Sequence, residues 1–595
     1  MTESYGTQAA HANDNTKEAI PVSLRVPKIS CCSRFTQFLS IYWKSLLIVL
    51  TPIVLLPIIL LNDIPEHRCM YVTLLMTVYW CFEALPLPVT SMLPLVLFPT
   101  LGILDTDATC KNYMKDAMLL FMGGMIIALA IQYSNLHKRV ALKMISIIGC
   151  SQRKLNFGLI AVTMFVSMWI SNIAATAMII PIVQAVLEEF EAQGLCKMYE
   201  DDSPHAKEEG VCANKKPTKI TICYYIGTAF AASIGGCGSI IGTGTNLAFK
   251  GIYDSLFPDD EISFVKWMIY NIPVMLINTF FTWMYLQWYF MGMFRPNSKE
   301  AKQFQLGKDG EEVARQVIIK RYNQLGPITQ QEIQVALLFL LLIASLIFRA
   351  PGFITGWAKL ITKTKIGDAV PAMFVVIALF VLPANWNWLK FIIGRQENLP
   401  KAATPGLISW KYINSNIPWG LIFLLGGGFS LAKGSSESGM SKMLGTHLSG
   451  LSNLPLWLVL LLVCLFSQIV TEFAQNTAVA NVILPILAEM ALQMRVHPLY
   501  IMLPAAVSCS MAFHTPVGTP PNAFVTGLAN IGNKDLAIAG IGPSLVSLFT
   551  IWLSMPMYAS LVVYPGLQGF PDWAVQMVAN KAVVDVVPIL NATLH

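Results

Sequence analysis

The chain has 595 residues, of which 55% are hydrophobic and only 12% are charged. Because an average soluble protein carries about 25% charged residues, the composition predicts a polytopic membrane protein with little room for a soluble domain. The formal net charge of +6 does not indicate a nucleic-acid partner, since the Lys and Arg residues lie between apolar segments, where the positive-inside rule accounts for them.

Apolar segments long enough to form membrane helices, which need about 20 residues, follow one another along the chain. In order they are 45–61, 69–84, 87–104, 117–134, 156–186, 220–253, 266–292, 331–349, 368–386, 417–433, 456–489, 498–530 and 541–565. The stretches 156–186 and 456–489 are too long for one helix and too short for two crossings, so each predicts a re-entrant hairpin. The predicted fold is therefore an all-α polytopic membrane protein with about eleven transmembrane helices and two re-entrant hairpins.

The charged loops predict the orientation of the chain. Arg25, Lys28 and Lys44 place the N-terminus in the cytoplasm, and eleven crossings then leave the C-terminus outside. There Asn591 begins Asn-Ala-Thr, which is the sequence required for N-glycosylation. The predicted divisions are a cytoplasmic tail 1–44, a first membrane half 45–292, a cytoplasmic linker 293–330, a second membrane half 331–565 and an extracellular tail 566–595.

The linker 293–330 is rich in charged residues but carries apolar residues at helical spacing, namely Val313, Val317, Ile318 and Tyr322. This pattern predicts an amphipathic helix on the cytoplasmic membrane surface. A solvated linker without such a helix is the alternative.

One motif occurs in both hairpins. Residues 171–182 read SNIAATAMIIPI and residues 475–486 read QNTAVANVILPI, each with a central Asn and a Pro at the same distance downstream. A second pair follows, because GTGTN at 242–246 matches GTPPN at 518–522. Paired, interrupted hydrophobic segments in two halves of a chain indicate the binding site of a secondary transporter built from inverted repeats.

These four segments contain neither Lys nor Arg at their centres. An anion bound there must be held by amides, hydroxyls and the backbone N–H groups at helix N-termini, where the helix dipole favours negative charge. The predicted donors are Asn172, Asn476, Thr477 and Thr519, while glycines such as Gly242, Gly244 and Gly518 permit unwound backbone. The alternative is that these polar residues only join helices by hydrogen bonds.

Further polar groups bear on coupling to cations or protons. Carbonyl groups freed at the interruptions can bind sodium, with Ser167 and Thr471 as additional oxygen ligands. Glu472 is an acid within a predicted membrane segment and His514 is a proton-sensitive group, so both are candidates for tuning cation or proton coupling. A packing role is the alternative for His514.

With these motifs in view, the chain from about residue 40 to 575 resembles the divalent anion/sodium symporter family. The residues that carry the resemblance are Glu83–Leu87, Asn135–Arg139, both Asn motifs, Thr519–Asn522 and Phe570–Ala574. Within the family it is most similar to the insect transporters of citrate and other Krebs-cycle acids. The resemblance implies a plasma-membrane homodimer whose transport domain moves like an elevator, and no enzymatic activity.

The resemblance also implies a set of site residues. Substrate contacts would be Ser171, Asn172, Thr243, Gln475, Asn476, Thr477, Thr519 and Pro520. The first sodium site would use Ser167, Ser171, Asn172 and Gly242, and the second Thr471, Ala474, Asn476 and Gly518. The chain departs from the family's Ser-Asn-Thr signature, because Ile173 replaces Thr in the first motif and Gln475 replaces Ser in the second.

The predicted function is transport of di- and tricarboxylates, including citrate and succinate, by cation-independent electroneutral exchange. The alternatives are a sodium-coupled symporter of carboxylate or sulfate and, from another class, an anion channel. A membrane-embedded enzyme is disfavoured, because no nucleophile, metal cluster or acid–base dyad stands at usable spacing in the sequence.

Overall fold

The computed structural model describes residues 31–148, 152–194, 196–200, 216–295, 308–349, 355–393, 402–448, 454–567 and 569–577. These residues form helices joined by short connections, without a β-strand among them; two isolated bridges pair Tyr199 with Pro217 and Pro383 with Gly406. Helices satisfy every backbone polar group within one segment, which a bilayer demands. Most of both predicted tails, including Asn591, lies outside the described residues.

The described residues in the first part of the chain form thirteen α-helices. They are α1 (Cys31–Leu55), α2 (Pro57–Leu61), α3 (Pro65–Phe82), α4 (Leu87–Thr90), α5 (Leu93–Thr100), α6 (Thr106–Lys111), α7 (Asp116–Tyr133), α8 (Leu136–Ile148), α9 (Gln152–Ser167), α10 (Asn172–Ala192), α11 (Lys219–Gly235), α12 (Gly244–Leu256) and α13 (Phe264–Met291).

The second part continues the series. Its helices are α14 (Lys308–Gln324), α15 (Gln330–Arg349), α16 (Trp357–Ile361), α17 (Ala369–Val381), α18 (Leu389–Ile393), α19 (Trp410–Asn416), α20 (Trp419–Glu437), α21 (Met440–Leu448), α22 (Leu456–Thr471), α23 (Asn476–Gln493), α24 (Pro498–Ser508), α25 (Pro520–Ala529) and α26 (Asn533–Ser554), followed by a π-helix at Met555–Val563.

Within the described residues, eight helices are long and apolar enough to cross a bilayer, or nine if α19 and α20, bent by 63°, form one span. The all-helical polytopic class is therefore confirmed, whereas the count of eleven crossings with two re-entrant hairpins stays a prediction. The first apolar stretch long enough to cross a bilayer runs from Phe35 to Leu61, and the predicted start of the first span near residue 45 stays a prediction. The short helices α8 and α21 were not predicted.

Two series of seven helices repeat the same order: α7 to α13, the first repeat, and α20 to α26, the second repeat. In the first repeat α9 and α10 both pack against α11, and in the second α22 and α23 both pack against α24. The repeats also exchange contacts, because α12 packs against α23 and α25 packs against α10. The protein core lies where these helices meet.

The predicted amphipathic helix is present as α14, which packs against α8 and α10. Its apolar residues Val313 and Ile318 are buried. The segment that follows α14 is fixed by Arg139 of α8, which donates hydrogen bonds to Glu332 of α15 through Nε at 2.8 Å and Nη2 at 3.2 Å. The side chains of this ion pair are 7% and 4% exposed, so α8 is tied to the start of α15, directly after the linker. The linker's position on the cytoplasmic surface stays a prediction.

Candidate functional site

The polypeptide is non-helical for the four residues that precede the Asn of each motif. α9 ends at Ser167 and α10 begins at Asn172, and likewise α22 ends at Thr471 and α23 begins at Asn476. The residues before the second helix of each pair are extended, with ψ of 145° at Ser171 and 129° at Gln475. We call these connections, 168–171 and 472–475, the first tip and the second tip.

The two Asn side chains are held by matching hydrogen bonds. Ser167 Oγ lies 2.9 Å from Asn172 Oδ1 and 2.7 Å from the carbonyl oxygen of Ala232. Thr471 Oγ1 lies 2.8 Å from Asn476 Oδ1 and 2.6 Å from the carbonyl oxygen of Cys509. Because these side-chain contacts use Oδ1, the amide NH₂ groups of both Asn residues are available as donors.

A second pair of interruptions follows, and we call 236–243 the first break and 509–519 the second break. Each is held by an Asn one turn into the following helix. Asn246 Nδ2 donates to the carbonyl groups of Gly236 and Ser239 at 2.9 and 2.8 Å, and Asn522 Nδ2 donates to those of Ala512 and Thr515, each at 3.2 Å. The amide side chain thus replaces helical hydrogen bonds that the unwound carbonyls have lost.

Each break also touches its own tip. Ser239 Oγ donates to the carbonyl oxygen of Met168, and Thr515 Oγ1 donates to that of Glu472, each at 2.5 Å. Gly242 leaves no space for a side chain, since a Cβ added there would lie 2.4 Å from the carbonyl oxygen of Gly236. Glycine is therefore required at this close approach of two backbone segments.

Tips and breaks surround one cavity of about 350 Å³. None of the residues that line it is charged. All eight predicted substrate-contacting residues line this cavity: Ser171, Asn172, Thr243, Gln475, Asn476, Thr477, Thr519 and Pro520. Of the residues predicted for sodium alone, Gly242 and Gly518 also line it, whereas Ser167, Thr471 and Ala474 are buried behind it.

The two repeats meet at this cavity. A Cβ added at Gly244, the first residue of α12, would lie 3.1 Å from Thr477 Oγ1 in the first turn of α23. Four helices, α10, α12, α23 and α25, begin at residues that line the cavity. Helix N-termini carry unpaired N–H groups and partial positive charge, so the arrangement favours an anion without a cationic side chain.

Glu472 and His514 form one cluster at the second tip. The Glu472 carboxylate accepts the backbone N–H groups of Phe513 at 2.7 Å, His514 at 3.0 Å and Thr515 at 3.1 Å. Its Oε1 also lies 2.9 Å from His514 Nδ1, which is 3.3 Å from Ser544 Oγ. The carboxylate therefore organises the second break, a role that the sequence did not indicate.

Other cavity residues were missed by sequence reasoning. Thr245 belongs to the GTGTN motif, but its counterpart in the second repeat is Pro521, so a search for residues shared by the two motifs does not select it. Gln132 at the end of α7 and Asn416 at the end of α19 also line the cavity, but each belongs to a segment with no counterpart motif. No signal in the sequence distinguishes these two.

A separate polar cluster lies away from the cavity. Lys250 of α12, which is 3% exposed, contacts Asp254 at 2.8 Å and Asp368 at 3.3 Å, and Arg349 of α15 contacts Asp368 at 2.5 Å. Together they line a cavity of about 380 Å³ with other charged residues. Buried charges are stable only when paired, so this network ties α12 to the helices α15 and α17.

The sequence is similar to those of known transport proteins. The sequence matches the family described as "Sodium:sulfate symporter transmembrane region" over residues 39–564. The chain belongs to this family. Its members are membrane transporters, so the protein is a transporter and not an enzyme.

Three relatives cover nearly the whole chain. "Protein I'm not dead yet" of Drosophila melanogaster is 50% identical over 558 residues, 92% of this chain and 93% of the relative. The "Na(+)/citrate cotransporter" of Rattus norvegicus is 37% identical over 569 residues, covering 89% and 97%. The "Na(+)/dicarboxylate cotransporter 3" of Homo sapiens is 36% identical over 577 residues, covering 89% and 94%.

Proposed function

We propose that the protein carries di- and tricarboxylates such as citrate and succinate across the plasma membrane by alternating access. The observation that carries this proposal is the uncharged cavity of about 350 Å³ at which four helices begin. Its volume falls in the usual range for small-molecule sites, about 300–1,000 Å³. Helix N-termini and neutral amides bind carboxylates with less desolvation than buried cations would require.

The substrate class is supported by the relatives, two of which are named as citrate and dicarboxylate cotransporters. The family description names sulfate, so sulfate transport is the alternative within the class. A dicarboxylate has two separated negative groups and can engage both repeats at once. Sulfate presents one compact charge, which needs only one cluster of donors.

For coupling, we propose electroneutral exchange without an obligatory cation. Ile173, in the first turn of α10, supplies no hydroxyl beside the first tip, and the Gln475 side chain is engaged at the start of α23, where its Oε1 accepts the N–H of Ala478 at 2.8 Å. The alternative is sodium-coupled symport, in agreement with the names of two relatives. The neutral oxygens of Ser167, Asn172, Thr471 and Asn476 are ligands suited to a hard cation.

We further propose that the protein works as a homodimer in which α9–α13 and α22–α26 move together as the transport domain, carrying the cavity across the bilayer. Support comes from their packing, because helices of both repeats surround one cavity and cross over to each other. An anion channel, in contrast, would favour an open polar pore rather than a cavity enclosed by two tips.

The experiment is uptake of radiolabelled citrate and succinate into proteoliposomes containing the purified protein. We expect saturable uptake, stimulation by unlabelled carboxylate inside the vesicles, and competition by dicarboxylates stronger than by sulfate. Strict dependence on a sodium gradient would replace exchange with symport. Conductance that does not saturate with concentration would replace the transporter with a channel.

Substitution of the two Asn residues tests the location of the site. Asn172→Ala and Asn476→Ala should each lower uptake about 100-fold, because hydrogen bonds to a charged group contribute about 1.5–3 kcal/mol. Surface expression and the elution volume of the purified protein serve as controls. Normal uptake by either variant would remove that residue from the proposed site.

A further inference from the structure

Thr245 is the second residue of α12 and lines the cavity, and its side chain is 0% exposed. Its hydroxyl oxygen has no hydrogen-bond partner, and among the cavity-lining residues, all of which the structure describes, it is the only buried side-chain oxygen or nitrogen in this condition. A buried polar group left unsatisfied costs about 1–3 kcal/mol. Such a group at a binding cavity indicates a missing ligand.

The surrounding backbone points to the charge of that ligand. No side chain caps the N-terminus of α12, and the first N–H groups of a helix have no partner within it. The Thr245 hydroxyl therefore lies beside unpaired donors of its own helical turn. Donors from side chain and backbone together suit a carboxylate oxygen, which accepts several hydrogen bonds.

The corresponding helix N-terminus in the second repeat, that of α25, cannot offer the same backbone donors. Gly244 and Thr245 correspond to Pro520 and Pro521, which have no backbone N–H to donate. The N-terminus of α23 has also lost a donor, because Gln475 Oε1 accepts the N–H of Ala478 at 2.8 Å. The second repeat offers side chains such as Asn476 and Thr477, whereas the first retains backbone donors.

We propose that Thr245 contacts the substrate directly and fixes its orientation, with one carboxylate held by the Thr245 hydroxyl and the first turn of α12. This inference rests on the proposed transport of carboxylates. The other carboxylate of the substrate then faces the side chains of Asn476 and Thr477 at the start of α23. The preference for substrates with two separated carboxylates follows from this division.

The test compares Thr245→Val, which removes the hydroxyl and keeps the shape, with Thr245→Ser, which keeps the hydroxyl. We expect Thr245→Val to raise the KM for succinate about tenfold, equivalent to about 1.4 kcal/mol, while Thr245→Ser stays within about twofold of the parent. The matched control is Thr228→Val in α11, a buried Thr whose hydroxyl bonds the carbonyl oxygen of Tyr224 at 2.8 Å. This control should leave KM unchanged.

A further variant copies the second repeat. Thr245→Pro removes the hydroxyl and a backbone N–H, and Pro is tolerated in the first turn of a helix, so KM should rise more than in Thr245→Val. Purified variants are also tested for thermal stabilisation by succinate, which reports binding even where transport is lost. We expect the thermal stabilisation by succinate to be strongest in Thr245→Ser, weaker in Thr245→Val and weakest in Thr245→Pro.

An unchanged KM in an active Thr245→Val protein would overturn the inference. The same conclusion follows if Val and Pro lower the unfolding temperature yet leave stabilisation by succinate intact, because Thr245 would then be a structural residue. Absence of any carboxylate uptake by the parent protein would instead reject the proposed function. The two failures are thus distinguishable.

Discussion

The two repeats share their helices and hydrogen bonds, but they are held together at the tips by different means. In the first repeat Met168 and Gly238 occupy the positions that Glu472 and His514 occupy in the second. The first tip is closed by side-chain packing against the first break, because a Cβ added at Gly238 would lie 2.8 Å from both Met168 Cγ and Met275 Sδ. The second is closed by a buried carboxylate that gathers three backbone N–H groups.

The comparison shows that one architecture has two sources of rigidity. Close packing resists added volume, whereas a carboxylate centre resists the loss of charge and acceptor atoms. Substitutions of the same type in equivalent places should therefore have unequal effects on the two repeats.

The largest expected effect is steric. Gly242→Ala should lower the free energy of unfolding by about 3 kcal/mol and Gly518→Ala by about 1 kcal/mol, because the Cβ would lie 2.4 Å from the nearest atom in the first case and 2.8 Å in the second. Thermal unfolding in detergent measures both. Gly527→Ala in α25, where a Cβ meets nothing within 4 Å, is the control and should stabilise slightly. Equal losses at 242 and 518 would contradict the comparison.

An intermediate effect is expected from the carboxylate. Glu472→Gln should destabilise the protein by about 2 kcal/mol, since an amide NH₂ would then face backbone donors. The equivalent change in the first repeat, Met168→Leu, conserves volume and should cost under about 1.5 kcal/mol. The readout is again the unfolding temperature, and an unaltered value for Glu472→Gln would show that the carboxylate does not organise the second break.

The smallest effect concerns the residues that precede α10 and α23. Gln475→Ala removes the side-chain cap on Ala478 and should cost about 1 kcal/mol. Ser171→Ala should leave the unfolding temperature unchanged, because the Ser171 side chain makes no capping hydrogen bond. A similar loss in both variants would mean that the tips are capped alike.

Much of the site was predictable because it violates the rules of a membrane helix. Asn172 and Asn476 stand in apolar surroundings beside Gly and Pro, and lipid tolerates such residues only where the backbone is interrupted and enclosed by protein. Their repetition in the sequence predicts both tips and both breaks. The residues predicted to bind substrate accordingly line a single cavity.

What escaped prediction has two physical causes. Thr245 is informative because it differs from its counterpart Pro521, and a search for matching residues passes over such differences. Lys250 and Asp368 pair across the fold, and sequence patterns carry no information on partners so distant along the chain.

The exchange of contacts between repeats has a consequence for biosynthesis. Because α12 packs against α23 and α10 against α25, the earlier-made helices must wait in the membrane until much later residues emerge from the ribosome. Until then the first turn of α12 lacks its contact with α23, where a Cβ added at Gly244 would lie 3.1 Å from Thr477 Oγ1. The cavity is therefore completed only when the second tip and α25 have been made, and a chain truncated before Asn476 lacks one of its walls.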